Sequence, residues 1–336
     1  MLRLFANANY DFIALRRWAY ALTGLFIVPG LVLLLVRGLN YSIEFTGGTL
    51  VQIETAEPVD DGVIRAALQA NGLPGADVQQ FGSPTEYAIK ARLAPQEAAA
   101  QPGTQETTAA VRRALDAGLG AGTYEVVRTE AVGPKVGREL QEKALLAILF
   151  SFFVTLAYLA VRFEWRFGVA AVIATAHDIV ATIAFIRYLN LEVSLVVVAA
   201  VLTIVGYSLN DTIVIFDRVR ENLRKFRRQN LYEILNLSVN ETLPRTILTG
   251  GSTMMTALAL AFIAGEVIRP FSLVMAFGIV LGTFSSIYVA SPVLLWIEKR
   301  WPGEDARGAR TLGARAPAAS PPAPAPQPPR APQPAR

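Results

Sequence analysis

The sequence contains no cysteine, a single histidine and little charge, with 17% Asp, Glu, Lys and Arg over 336 residues. Without cysteine there is no disulfide framework, no thiol nucleophile and no thiolate metal site, and the redox compartment stays open. With His177 alone, neither an imidazole zinc cluster nor a Ser-His-Asp triad outside the apolar segments can be built, so no metal site is expected. No GxxxxGK[ST] stretch occurs, which excludes nucleotide hydrolysis by that route. Basic residues sit at the edges of apolar runs without interleaved aromatics on a common face, which argues against nucleic acid as a partner. No group of residues supports covalent catalysis, and a non-enzymatic role without a cofactor is expected. A soluble domain usually carries about 25% charge, whereas this chain is 53% hydrophobic.

The apolar residues are gathered in six windows, each near the roughly 20 residues that cross a bilayer core of about 30 Å. Residues 18–36, 144–161, 246–264 and 270–297 contain no charge; 167–186 contains His177 and Asp178, and 193–216 contains Asp211. The first window is too long for a cleaved leader and lacks a small-residue cleavage site, so it reads as a retained span. The domain reading is an N-terminal segment 1–17, spans at 18–36, 143–161, 167–188, 193–216, 244–264 and 270–297, a basic loop 217–243 and a tail 298–336. Arg3, Arg16, Arg17, Arg162, Arg166, six basic residues in 217–230, Lys299 and Arg300 fall on one side. Arg187 and Arg269 are the main short-loop cations of the other. The positive-inside rule then puts both termini in the cytoplasm and 37–142 outside. That outer segment carries 9 Lys/Arg against 14 Asp/Glu in a chain whose net charge is +4.

Residues 37–142 are long enough to fold alone. YSIEFTGGTLVQIET has strand chemistry on both sides of Gly47-Gly48, and VDDGVIRAALQANG reads as a helix ended by Gly72. DVQQFG and TEYAIKARL flank a Ser83-Pro84 turn, TQETTAAVRRALDAG is a second amphipathic helix, and TYEVVRTEAV a last strand. The order βαββαβ is that of ferredoxin-like domains. The fold class is therefore a membrane α-helical bundle of six transmembrane helices with one α+β domain. After Gly133-Pro134, VGRELQEKALLAI runs into the second span as one helix, a stiff link between domain and bundle. Residues 317–336 hold nine prolines and are expected to be disordered.

Ionisable residues at membrane depth cost roughly 2.5–3.5 kcal/mol on insertion scales and point to function. In span four, Thr203, Tyr207, Asn210 and Asp211 share a helical face. In span five, Arg245, Thr249, Ser252 and Thr256 form a second stripe beside Thr253. Two such stripes predict a polar seam in which Asp211 can titrate while Arg245 stays a fixed cation. Two readings stand at this point: a proton relay, or an Asp–Arg pair that glues two helices. Asp178, with His177 beside it and Thr175 and Thr182 on its face, is a weaker candidate of the same kind. Gly278 and Gly282 form a GxxxG that reads as close helix packing.

VGYSLNDTIVIFDRVREN (205–222) resembles the fourth-span signature of the SecD/SecF family of the bacterial protein-export machinery, in its smaller, SecF-type branch. EFTGGTLVQI (44–53), VGPKVGREL (132–140), AHD (176–178), LPRTILTGGST (243–253) and FGIVLGTFSSIYVASPVLLW (277–296) are similar to its other elements. The resemblance runs over about residues 8–300, with Glu44 where the family would have aspartate. It implies an inner-membrane subunit of the proton-driven superfamily that includes multidrug exporters, forming one half of a pseudo-symmetric unit. It further implies SecD as partner, with SecYEG, YajC and unfolded exported preproteins as further partners, and the proton gradient as energy source. Asp211 and Arg245 fall at the family's proton-transport positions, and Asp178 at one of less defined role. A separate subunit rather than a fused SecD-SecF form is expected. The rival readings are a proton-coupled exporter of small molecules or lipids and a passive assembly scaffold.

Overall fold

The computed structural model describes residues 8–91, 104–265 and 267–301. The Pro-rich 317–336 stretch lies outside the described residues. Among the described residues, six helices are long and apolar enough to cross a membrane. After a short turn at Ile13–Leu15 come α1 (Arg16–Arg37), α2 (Ile43–Thr46), β1 (Gly48–Thr55), α3 (Asp61–Ala70), β2 (Asp77–Gln80), β3 (Glu86–Ala91), α4 (Thr104–Gly118) and β4 (Tyr124–Val132). Then follow α5 (Pro134–Arg162), α6 (Trp165–Tyr188), α7 (Leu195–Lys225), α8 (Leu231–Ile263) and α9 (Arg269–Ser285). A π-helical segment, Ser286–Ala290, joins α9 to α10 (Ser291–Arg300).

The α+β domain has the expected βαββαβ order. Its antiparallel sheet runs β2-β3-β1-β4, with Val51 opposite Ile89. Along β1 alternate residues are buried, as a half-covered strand requires. Val51, Ile53, Tyr87 and Ile89 from the sheet meet Ile64, Leu68, Val111 and Leu115 from α3 and α4 in one core. The buried Tyr87 hydroxyl is satisfied, donating to the Val59 and Pro84 carbonyls at 2.6 and 2.8 Å. Helix α3 ends as expected, with Gly72 just beyond it at φ 87°.

Two expectations are corrected. The residues before Gly47-Gly48 are not a strand: Ile43–Thr46 is a helical turn, because Ser42 accepts the Glu44 N–H and caps it. Gly47 then turns the chain at φ 69°, and pairing begins only at Gly48. Second, 217–243 is helical except for 226–230. At about 1.5 Å per residue, α7 and α8 each outrun a bilayer core of about 30 Å. Their polar extensions hold each other: Arg218 Nε lies 2.7 Å from Glu241, and Asn222 donates to Ser238 at 3.0 Å and Glu241 at 2.7 Å. A capping box of Asn230 and Glu233 starts α8.

In the bundle, α6, α7 and the α9–α10 span are central. Half of the apolar stretch of α6 and of α7 is buried, against 6% for α5 and 11% for α1. The expected continuous α5 helix is present, from Pro134 to Arg162. Residues 8–15 are strapped to the start of α8. Asn240 exchanges two hydrogen bonds with the Tyr10 backbone, Asn236 accepts from the Ile13 N–H, and Asp11 accepts from the Tyr232 hydroxyl.

Candidate functional site

Helices α7 and α9 approach closely because α9 presents glycines where α7 crosses it. A Cβ on Gly278 would overlap the Ile204 side chain, and one on Gly282 would lie 2.9 Å from the Ser208 Cβ. This contact brings Ser285 and Thr283 of α9 against Asp178 and Asp211 respectively.

Asp178 of α6 is 1% exposed and sits where three helices meet. Its Oδ2 accepts from Ser208 of α7 at 2.5 Å and from Ser285 of α9 at 2.7 Å. Its Oδ1 lies 3.0 Å from Nδ1 of His177, whose Nε2 is buried without a hydrogen-bond partner among the described residues. Next to this site Thr212 and Ser286 share a hydrogen bond of 2.8 Å, and Ser286 also donates to the Gly282 carbonyl. Asp211, one helical turn further along α7, is 3% exposed, and Thr283 of α9 is its one hydrogen-bond donor among the described residues, at 3.4 Å.

The expected Asp211–Arg245 ion pair is not formed. Arg245 lies on an exposed face of α8, and its charge acts on Asp211 only at longer range. Between the two polar stripes the contact is the Tyr207 hydroxyl, which faces Thr249 and Thr253 of α8. Thr249, Ser252, Thr253 and Thr256 donate to carbonyls of their own helix. Tyr207 points at Gly250 of α8, its buried hydroxyl beside Thr249 and Thr253, while Asn210 is exposed. The stripe Thr203, Tyr207, Asn210 lies beside the face that packs, which runs through Ile204, Ser208, Asp211 and Ile215. Polar spacing picked out a polar face; burial followed the small and apolar residues next to it. Ser208, Thr283 and Thr212 escaped the sequence reading. Their available signal was a four-residue spacing with Ile204 and Thr212, and position next to the GxxxG.

The sequence pattern described as "Protein export membrane protein SecD/SecF, C-terminal" matches residues 114–300, and the "SecD/SecF GG Motif" matches residues 32–59. The chain belongs to the SecD/SecF family. It is 55% identical over 317 residues to "Protein translocase subunit SecF" of Gemmatimonas aurantiaca, covering 94% of this chain and 95% of that one. The protein of the same name from Escherichia coli O157:H7 is 40% identical over 286 residues, covering 85% and 87%. Among solved structures, SecDF of Thermus thermophilus, "a translocon-associated membrane protein", superposes with a TM-score of 0.79 at 35% identity. The match covers 89% of this chain and 40% of that one, so the chain spans about two fifths of the SecDF polypeptide. SecDF in a "Super-membrane-facing form" gives 0.64, also at 35% identity, over 92% and 40%. This SecD/SecF protein is thus a multi-pass membrane protein of the Sec export machinery. Its GG motif is the turn at Gly47-Gly48 described above.

Proposed function

We propose that the chain is the SecF-type subunit of a protein-export complex and uses the proton gradient, with a SecD-type partner, to promote translocation or release of preproteins. In this reading it lies in the bacterial inner membrane, both termini cytoplasmic and 37–142 outside, as one half of a pseudo-symmetric unit. SecYEG, YajC and unfolded preproteins belong to the same proposal as further partners.

The observation that carries it is Asp211: a carboxylate buried inside apolar helices with a hydroxyl, not a cation, as its near neighbour. A hydroxyl donates to a carboxylate and accepts from a carboxylic acid, so Thr283 can serve both protonation states. Arg245 is the fixed counter-charge that an unprotonated Asp211 approaches when α7 and α8 shift. One charge crossing 100 mV supplies about 2.3 kcal/mol, enough to bias such a shift. Asp178 differs, because its hydrogen bonds from two helices favour a holding role for that residue.

The test is Asp211→Asn in proteoliposomes with the SecD-type partner, following proton flux, export and complex recovery. Asparagine keeps the size but cannot titrate, so normal recovery with lost flux and export is expected. Full proton-dependent export in Asp211→Asn would sink the relay. Loss of the complex, partly rescued by Asp211→Asn combined with Arg245→Gln, would instead favour a passive scaffold.

A further inference from the structure

The four-residue turn α2 stands at a junction of three elements. Towards the domain it continues through Gly47 into β1. Towards α5 the contact is backbone on backbone: a Cβ on Gly137 would lie 2.9 Å from the Gly47 nitrogen and 3.0 Å from the Phe45 oxygen. Towards α7 the contact is a cap. Glu44 Oε2 accepts the Leu195 N–H at 2.6 Å, while Ser194 accepts the Val197 N–H. These are two of the four N–H groups that the first turn of α7 leaves free.

The α6–α7 loop is fastened to the same segment. Tyr41 and Val193 form a parallel bridge, with Val193 N–H donating to the Asn40 carbonyl at 2.7 Å and Ser42 N–H to the Val193 carbonyl at 3.0 Å. One residue earlier, Glu192 pairs with Lys90 of β3 at 3.1 Å, and the Lys90 side chain is only 11% exposed. By contrast α5, the expected lever, is scarcely buried along its apolar stretch. The helix that carries Asp211 is therefore held at its outer end by the domain itself.

The geometry points to Glu44, with the Lys90–Glu192 pair, as a positioning joint that passes movement of α7 to the outer domain. This rests on the proton-driven reading above. When α7 shifts, residues 40–44 shift with its capped end, and β1 and β3 follow.

The test uses the full chain with its SecD-type partner in proteoliposomes, measuring proton flux and export separately. Glu44→Ala is expected to lower export stimulation about fivefold or more while flux stays near the wild-type value. Glu44→Gln, which keeps an acceptor oxygen, restores export. Lys90→Glu uncouples in the same way, and adding Glu192→Lys rescues it. The chain has no cysteine, so a Tyr41→Cys, Val193→Cys pair forms the sole disulfide, and a joint that moves as a unit tolerates it. Normal export in Glu44→Ala, a parallel fall of flux and export, or export abolished by the disulfide each overturns the joint. Absence of flux in the wild-type complex overturns the proton reading beneath it, and the wild-type control alone reveals that.

Discussion

Removing the Asp178 carboxylate strands the hydroxyl of Ser208, since the structure gives it no other acceptor among the described residues. An unsatisfied buried hydroxyl costs about 1–3 kcal/mol. Asp178→Ala is therefore expected to lower stability by that order in detergent thermal denaturation. Asp211→Ala loses only the 3.4 Å contact from Thr283 and should cost less, although its effect on export should be the larger. Equal destabilisation by the two substitutions would mean that Asp178 and Asp211 hold the bundle alike. A different carboxyl answers to pH. Asp11 is held below its ordinary value of 3.8, first by the Tyr232 hydroxyl and also by the Ala14 N–H and Asn236. A lowered folded value means that its contribution is present above the unfolded value of about 3.9 and is lost as pH falls through the folded one. Hydrogen exchange at the Tyr10 and Ile13 amides, corrected for the intrinsic rate, should then accelerate below about pH 4. Asp11→Asn should flatten that dependence, and unchanged exchange in the wild type would rule the strap out as its source.

At the scale of elements, the α7–α9 contact depends on different atoms at its two glycines. Overpacking of a tight contact costs about 1–3 kcal/mol, and both Gly278→Ala and Gly282→Ala should show it. The Gly278 clash is with the Ile204 side chain, so adding Ile204→Ala should recover part of the loss. At Gly282 the added methyl also meets the Ser208 Cα at 3.0 Å, so Ser208→Gly should recover little. Equal rescue at both would mean that the helices simply separate. The spans and the βαββαβ order were legible because long apolar runs and alternating strands obey short-range rules. The 43–46 turn was not, because Ile43 and Phe45 look like strand residues until the Ser42 cap is seen. The 217–243 segment reads as a loop from charge alone, yet its charges pair between two helices, a long-range fact that no window contains. The candidate carboxylates were visible as charge in apolar sequence. Their partners were not, because which face of α7 packs is settled by the glycines of another helix.

For the whole molecule, the uncovered polar face of α7 and α8 sets a requirement. Thr203, Asn210, Arg245, Thr249, Ser252 and Thr256 are exposed on helices apolar enough to span a membrane. Polar groups in hydrocarbon need partners, so this face should be covered by the SecD-type subunit. Single cysteines at Thr256 and at Phe150, on the bare surface of α5, provide the test: the first should crosslink to the partner and the second should not. The reverse pattern would place the partner on α5. Orientation is checked with reporter fusions at Gly103 and after Gly303, the first expected to be active only outside and the second only inside.

The π segment Ser286–Ala290 has a consequence for how one span serves two neighbours. Its wider turn takes up one residue more than an α-turn, as the Ser291 hydroxyl reaching the Ser286 carbonyl five residues back illustrates. One extra residue offsets everything beyond it by about 100° around the axis. Upstream of that offset, Gly278 and Gly282 address α7; downstream, Glu298 meets Arg166 at the start of α6, 2.9 Å away. Deleting Val289 should let the wide turn close to an α-turn with Glu298 still facing Arg166, whereas closing the turn at full length would swing Glu298 away by about 100°. The span thus behaves as two half-helices keyed to different neighbours, with the phase between them held by one widened turn that absorbs an extra residue.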